Sequence, residues 1–426
     1  MKSKRMCAAV LTIMMAGIQV NALAETVNDE KGIAQIVAGN NELGNVIMSE
    51  LLREELEEES ERDNIFISPY SIATALSVLA NCSEEGEHIE ELKTFLGYGN
   101  LTDEELMESQ VLLMDELIPS KKEWAKDYSE EELAELGMAF VEFANAVYLD
   151  DDQIPCAAFD SLAEILNVYQ AEVEIKELAS EKTKEEINAW VKEKTHGLIE
   201  SLLDEPLDPS MAVFLINSVY FKGAWSNMFM EHLTDTQIFY GLDYESEIQM
   251  MHQQEFFAYA ETDKYQVITL PYNYGYEMNI YLPKDVEECM NWGEEGYIET
   301  LLSEEYDFEQ TEIILSLPKF ELEYDTNLED ILKALGVEKI FEMNRYDRLC
   351  EDVISVDEIL HKTALKVDEN GTEAAAITAI MTECAMVTES EPVEMTIDKP
   401  FYFTITNRKS NLNLFEGCVM NLGEAE

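Results

Sequence analysis

The sequence predicts an α+β protein built as one domain, and three observations carry that prediction. Helical spacing of apolar residues dominates the first half of the chain, strand-like runs take over from Met211, and no repeat or long linker separates the two. With 426 residues, 46% of them hydrophobic, and 17 Phe, 19 Tyr and 4 Trp, the chain has ample material for one large core.

The amino terminus reads as an export signal. Lys2, Lys4 and Arg5 form a basic start, residues 7–20 an apolar run, and Ala22-Leu23-Ala24 a small-x-small cleavage site. That run is too short to remain in a bilayer. The expected products are a signal peptide, residues 1–24, and a soluble, secreted mature domain, residues 25–426. Residues 41–59 predict an acidic amphipathic helix with Leu43, Ile47, Leu51 and Leu52 on one face. Ser68 caps the next helix and Pro69 takes its first turn, with Ile72, Ala75, Leu76 and Leu79 returning at helical spacing. Residues 101–135 read as acidic and helical around a loop near Pro119, residues 140–149 as a strand, and residues 183–203 as an amphipathic helix. The unbroken apolar run at 213–221 predicts a strand covered on both faces. Strands follow at 256–260, 265–270, 276–282 and 313–322, then a helix at 328–335 stopped by Gly336, then strands at 393–406 and 412–420.

Charge is the compositional outlier: 28 basic against 89 acidic side chains, a net of -61. Such a field repels phosphate backbones and anionic lipid, so neither nucleic acid nor a membrane surface is an expected partner. Basic partners would be attracted, although the simpler reading is that the acid load keeps an exported protein soluble. The seven cysteines show no CxxC spacing, so no metal site and no cofactor is expected. None of the five histidines lies in an HExxH arrangement and no GxSxG elbow occurs. Gly97-Tyr98-Gly99 lacks the third glycine of a dinucleotide fingerprint. The sequence therefore reads as that of a non-enzyme, with no catalytic residues.

Six segments, in order along nearly the whole mature chain, resemble the serpin family. They are Asn64-Ile65-Phe66-Ile67-Ser68-Pro69-Tyr70-Ser71, Asn145-Ala146-Val147-Tyr148, Phe214 through Trp225, Leu317-Pro318-Lys319-Phe320, His361 through Ala375, and the terminal pair Lys399-Pro400-Phe401 and Leu414-Phe415-Glu416-Gly417. Asn81-Cys82 and Cys418 depart from the family's usual residues and leave only local packing in question. The resemblance implies helices packed around three β-sheets, with an exposed reactive-centre loop at about residues 369–392. It also implies a suicide-substrate mechanism: a protease attacks the loop, and the loop inserts into the central sheet before the acyl-enzyme hydrolyses. On that basis the hinge comprises Glu369, Gly371, Thr372, Glu373, Ala374, Ala375, Ala376 and Thr378. A polar cluster beneath the opening strands falls on Ser68, Ser71, Asn217 and His361, and Trp225 marks the place where the loop first enters. Counting from Glu369 by the family's spacing puts the reactive bond at Ala385-Met386; cleavage after Cys384 or Met386 would shift it by one residue.

The loop residues suit that task. Helix propensity is high across residues 373–380, but period two is more telling. Thr372, Ala374, Ala376 and Thr378 share one face and are small and uncharged, whereas Glu373 and Glu383 lie on the other. A strand forced between two others needs such a face. From Gly371 to Ala385 it would reach about 50 Å at ~3.3 Å per residue.

A small Ala before the bond favours elastase-like or subtilisin-like serine proteases, and the absence of Lys and Arg between Lys366 and Lys399 disfavours trypsin-like ones. The expected partner is thus a target serine protease, bound covalently by a monomer. No heparin-like activator is expected, because residues 101–135 are acidic apart from Lys121, Lys122 and Lys126. Rival readings are a non-inhibitory serpin (carrier, chaperone or storage protein), an inhibitor of papain-like cysteine proteases, and an unrecognised hydrolase.

Overall fold

The computed structural model describes residues 22–57, 62–118, 139–372 and 391–423. A long helix, α1 (Ala22–Glu57), opens the described chain, about twenty residues before the helix the sequence predicts. Three glycines, Gly32, Gly39 and Gly44, lie inside it. They serve close approach: a Cβ on Gly39 would lie 2.3 Å from the Leu96 carbonyl oxygen, and one on Gly44 2.5 Å from the Pro69 ring.

After β1 (Ile65–Ile67), Ser68 caps α2 (Pro69–Asn81) as expected, its side chain accepting from the Ser71 N–H. Residues 69–80 of this helix are buried on every side, so α2 runs through the middle of the molecule. Next come α3 (Glu87–Phe95), which the sequence reading did not single out, and α4 (Asp103–Leu117), closed at its start by a capping box of Thr102 and Glu105. The remainder of the helical region expected at 101–135 lies outside the described residues from 119 on. β2 (Phe140–Asp150), α5 (Phe159–Leu166) and β3 (Ala171–Lys176) lead to α6 (Glu181–Lys194). This helix ends earlier than its apolar spacing predicts. The Thr195 hydroxyl turns back to the Val191 carbonyl at 2.8 Å, and His196 takes a left-handed φ of 52°.

The covered strand appears as β4 (Val213–Ala224), buried along nearly its whole length. Then follow β5 (Asp235–Tyr240), β6 (Glu245–Glu261), β7 (Tyr265–Pro271), β8 (Tyr276–Pro283) and α7 (Tyr297–Ser303). The strand predicted at 313–322 is two strands, β9 (Glu309–Pro318) and β10 (Phe320–Asn327), which pair in different sheets with Lys319 at the crossover. α8 (Leu328–Ala334), β11 (Asn344–Arg345), β12 (Val353–Ile354), β13 (Glu358–Asp368) and β14 (Gly371–Thr372) precede the loop. The strand predicted at 393–406 is likewise split, into β15 (Val393–Thr396) and β16 (Phe401–Asn407), around Pro400, which has no N–H for a ladder; β17 (Leu412–Val419) closes the fold.

The strands form three sheets, and the α+β class stands. One has nine strands, in the order β1-β17-β16-β8-β7-β6-β9-β15 with β5 on β6; a second has six, β10-β13-β14-β4-β2-β3; β11 and β12 make the third. Helix α2 lies between the two large sheets. Its neighbours include β4 on one side and β17 on the other.

Candidate functional site: the opening of the six-stranded sheet

The two central strands of the six-stranded sheet run together for part of their length and then separate. β13 and β4 pair in parallel from Glu358 opposite Phe214 to Thr363 opposite Val219. Beyond that point a third piece of backbone lies between them. Gly371 and Thr372 of β14 pair with Asp368 and Val367 on one side and with Ala224 and Gly223 on the other. The loop thus begins inside the sheet.

The local sequence explains why these two residues fit. Gly371 has φ of 146°, and a Cβ there would sit 2.0 Å from the Gly223 carbonyl oxygen, so no other residue can occupy the position unshifted. Thr372 is fully buried, and its hydroxyl shares a 2.6 Å hydrogen bond with the Tyr272 hydroxyl. Tyr272 stacks on Trp225 at 4.3 Å. The Trp225 indole N–H donates to the Asp368 carbonyl at 3.0 Å and its backbone N–H to the Asn370 carbonyl at 2.9 Å. Trp225 therefore holds both sides of the turn between β13 and β14.

Glu369 anchors the same turn through its side chain. One carboxylate oxygen accepts from the Thr234 hydroxyl and the other from the Lys319 ammonium, each at 2.7 Å. Burial alone would raise this carboxyl's pKa, but the two hydrogen bonds outweigh it and hold the group below the usual carboxylate range. At neutral pH Glu369 is therefore a carboxylate, its side chain only 6% exposed against 37% for Lys319.

Below the opening, a buried polar cluster crosses the closed part of the sheet. His361 on β13 stands opposite Asn217 on β4, and its Nδ1 donates to Asn217 Oδ1 at 2.7 Å. Its Nε2 accepts from the Ser68 backbone N–H at 3.1 Å, which fixes the tautomer. Burial pushes the imidazole pKa down to about 3, so the ring is neutral. The Asn217 amide donates to the Ser71 carbonyl at 2.7 Å and to Asn145 Oδ1 at 2.6 Å, and the Ser68 hydroxyl donates to the Leu414 carbonyl at 2.6 Å. Ser68, Ser71, Asn217 and His361 are therefore brought together. Ser71 takes part through its backbone; its buried hydroxyl has no partner among the described residues.

Sequence reasoning missed Asn145, Tyr272 and Thr234 as members of these clusters, and gave Lys319 no role beyond its segment. None carries a local signal, because each partner lies on a distant element. The positions named for Glu373, Ala374, Ala375, Ala376, Thr378, Ala385 and Met386 lie outside the described residues.

One hydrolase-like arrangement does occur. His252 lies 2.9 Å from the Ser316 hydroxyl and 3.1 Å from Asp235 Oδ1. The Asp235 side chain is 63% exposed, so water competes for it and it cannot lock the ring as a buried triad aspartate does. This is a surface hydrogen-bond chain linking β5, β6 and β9.

The comparisons with known proteins converge on one family. A family model described as serpin, serine protease inhibitor, matches residues 44–422. Iripin-2 of Ixodes ricinus is 31% identical over 376 residues, covering 84% of this chain and 88% of its own length. An uncharacterized serpin-like protein of Thermococcus kodakarensis is 30% identical over 366 residues, covering 84% of this chain and 81% of its own. Among solved structures, native tengpin, a thermophilic serpin, superposes with a TM-score of 0.70 at 25% identity, covering 90% of this chain and 94% of its own. Human thyroxine-binding globulin in complex with its hormone shares the fold, with a TM-score of 0.74 at 24% identity over 92% of this chain and all of its own (100%). With the matched segment spanning most of the chain and the strand opening in place, the chain belongs to the serpin family.

Proposed function

We propose that this serpin is a secreted, monomeric inhibitor that traps serine proteases of elastase-like or subtilisin-like preference. The observation that carries the reading is the position of Gly371 and Thr372, paired with both β13 and β4 at the head of the gap between them. A strand that has begun to enter needs no separate nucleation step, so cleavage can be followed at once by extension of the existing ladder.

The sequence of events follows from the residues. The protease serine attacks the Ala385 carbonyl carbon, the bond to the Met386 nitrogen breaks, and that nitrogen leaves as a free amine with one proton. An ester now links the protease to Ala385. Released from its downstream tether, the segment from Glu373 extends β14 downward while β13 and β4 part from Thr363 and Val219. Each residue inserted adds backbone hydrogen bonds on two sides, and the small, uncharged face through Thr378 lets the strand pass. The hydrogen bond from His361 to Asn217 lies in the path and must break. Drawn along the sheet, the protease loses the geometry it needs to hydrolyse the ester. No catalytic group of the serpin takes part.

Residues 1–24 are read as the export signal, and no polysaccharide activator belongs to this reading. Thyroxine-binding globulin, at 24% identity, shares the fold only, and a non-inhibitory role remains the alternative reading. The test is to mix the protein with pancreatic elastase, subtilisin, trypsin, chymotrypsin and papain and resolve the products on a denaturing gel. A complex that survives denaturation with elastase or subtilisin is expected. Cleavage of the loop by every active protease, without complex, would sink the inhibitor reading. A complex formed solely with papain would replace serine with cysteine proteases as targets.

A further inference from the structure

The foot of the six-stranded sheet, the end farthest from Gly371, is tied together by backbone outside the central strands. Residues 151–156 continue from the lower end of β2, and residues 349–357 feed β13. The two segments therefore belong to opposite sides of the line along which β13 and β4 must part. Pro155 and Cys350 join them in an isolated antiparallel bridge. The Glu351 N–H donates to the Ile154 carbonyl at 2.8 Å and the Cys156 N–H to the Leu349 carbonyl at 3.3 Å. The Ile154 N–H donates to Asp352 Oδ2 at 3.1 Å, and the Ala212 N–H, just before β4, donates across to Asp357 Oδ2 at 2.9 Å.

Complete insertion has to undo this link. The register that sets Thr372 opposite Val367 carries an entering strand nine residues further, to Met381, when it reaches Glu358 at the start of β13. Ala385 lies beyond that point, so full entry separates β13 from β4 along all of their pairing. One added strand widens the gap at the foot by about 4.8 Å. Hydrogen bonds of about 3 Å cannot follow such a movement and must break.

Two cysteines sit in the link itself. Neighbouring positions across an antiparallel pair place their Cα atoms about 5–6 Å apart, inside the range of about 4.4–6.8 Å that a disulfide spans. In a continuing strand the two side chains would face opposite sides. Cys156 leaves the strand instead, its carbonyl accepting from the Phe159 N–H at 3.2 Å in the turn into α5. Its thiol is thus carried by a turn, half-buried, whereas Cys350 is fully buried. Burial pushes the Cys350 thiol up to about 11, and Cys156 is close enough to push it further in the same direction. A third thiol, Cys82 at the end of α2, is near both, and its carbonyl accepts from the Arg348 N–H at 3.0 Å.

We propose that Cys156 and Cys350 form a redox clasp: oxidised to a disulfide, they lock the foot of the sheet and turn the inhibitor into a substrate. The inference rests on the protease-trap reading and adds a control to it. The oxidant is a small disulfide of the glutathione class. The Cys156 thiolate attacks one of its sulfurs, one thiol leaves, and a mixed disulfide remains on Cys156. Cys350 gives up its proton, attacks the Cys156 sulfur and expels the second thiol. The protein loses two electrons and two protons, and the small disulfide gains both. Cys350 is shielded from outside reagents, so Cys156 is the point of entry. With the clasp closed, insertion halts above the foot, and the acyl-enzyme hydrolyses before the protease is carried the full distance.

The test incubates the protein with mixtures of oxidised and reduced glutathione, alkylates it, and maps linked peptides by mass spectrometry without reduction. A parallel sample is mixed with elastase or subtilisin and resolved on a non-reducing denaturing gel. The expected result is a peptide pair joining Cys156 to Cys350, with loss of the covalent complex in favour of cleaved serpin. Treatment with dithiothreitol, removed before the protease is added, should restore the complex. Cys156→Ser changes one atom of a half-buried side chain and should trap protease equally well before and after oxidation. Loss of trapping on oxidation in that variant too would place the effect at another thiol, such as Cys384 in the loop, and overturn the clasp. A Cys82–Cys350 link, no link at all, or undiminished trapping by the linked protein would also overturn it, and each leaves the trap standing. Absence of complex with the reduced wild type would remove the trap reading, and the control proposed for it.

Discussion

His361 Nδ1 donates to Asn217 Oδ1 at 2.7 Å across the two strands that must part for a third to enter between them. Both residues are fully buried, and Asn217 carries the connection on to Ser71 and Asn145. Replacing Asn217 by Ala leaves the His361 donor and the Asn145 acceptor without partners, at a cost of about 1–3 kcal/mol for each buried group. The native state, not the inserted one, should bear most of that loss. Asn217→Ala should therefore melt several degrees lower and lose inhibitory activity on warming faster than the wild type. A thermal melt paired with activity remaining after incubation checks both, and an unchanged rate of activity loss would deny the pair its role in holding the sheet shut.

A second buried group gives a pH dependence. Glu416 on β17 is fully buried, accepting from the Tyr402 hydroxyl at 2.7 Å and from the Asn413 amide at 3.1 Å. Tyr281 faces it from β8, and Gly44 of α1 and Pro69 of α2 close over it, but no cation pairs with it among the described residues. Burial raises its pKa from 4.5 to about 7, against the smaller lowering effect of Tyr402 and Asn413. A carboxyl whose folded pKa is raised contributes stability that is complete below about pH 4.5 and is lost as pH rises through about 7. The loss amounts to at most about 3 kcal/mol from that shift. Glu416→Gln should accordingly raise the melting temperature at about pH 8 and change it little at about pH 5. An equal change at both would show that the carboxyl does not titrate in the folded protein.

What was legible in the sequence depended on how local the cause was. The Ser68 cap and Pro69 start of α2 show in adjacent residues, and the nine-residue apolar run shows that β4 is covered on both faces. The change of sheet at Lys319 was not visible, because alternation continues through it while the partner strand changes from β6 to β13. The early end of α6 was hidden for a related reason. Leu198, Leu202 and Leu203 keep helical spacing, yet the Asn188 side chain binds the backbone of Leu202 and Leu203 in a turn. His361 and Asn217 are 144 residues apart, so only the segment resemblance could bring them together. Tyr272 had no sequence signal at all, since a strand-end tyrosine looks the same whether it meets water or Thr372.

The Glu369–Lys319 pair offers a clean test of how the turn before β14 is held. Glu369→Lys would put a second ammonium beside the Thr234 hydroxyl in a site where the native side chain is only 6% exposed, while Lys319, at 37%, keeps a route to water. Because Lys319 is partly screened by water, the loss is about 1–3 kcal/mol, most of it from the buried side of the pair. The single variant should melt markedly lower, and Lys319→Glu in the same chain should restore part of the loss. A double variant no more stable than Glu369→Lys alone would show that packing, not charge, anchors the turn.

Thr372 is the first loop side chain within the sheet, buried against Tyr272. An arginine there would carry a charged head into a space that holds a hydroxyl, so β14 should withdraw. Thr372→Arg should remain folded, because the strand pair below it is untouched, but should be cut by elastase or subtilisin with little complex formed. The ratio of complex to cleaved product on a denaturing gel measures this. Retained complex formation would contradict the claim that entry begins at Thr372.

The bond itself is tested by changing which proteases can use it. A protease's primary pocket reads the residue before the scissile bond, so an alanine there admits shallow pockets and an arginine admits those with an acidic floor. Ala385→Arg should transfer complex formation from elastase or subtilisin to trypsin. Arginine lies near the end of the inserted segment, beyond the small-residue face through Thr378, so insertion should not be jammed as it is by Thr372→Arg. Mass spectrometry of the carboxy-terminal peptide released from the wild type should give a fragment beginning at Met386. A fragment beginning at Ala385 or Val387 would move the bond by one residue, and trypsin trapping would then require the arginine at Cys384 or Met386 instead.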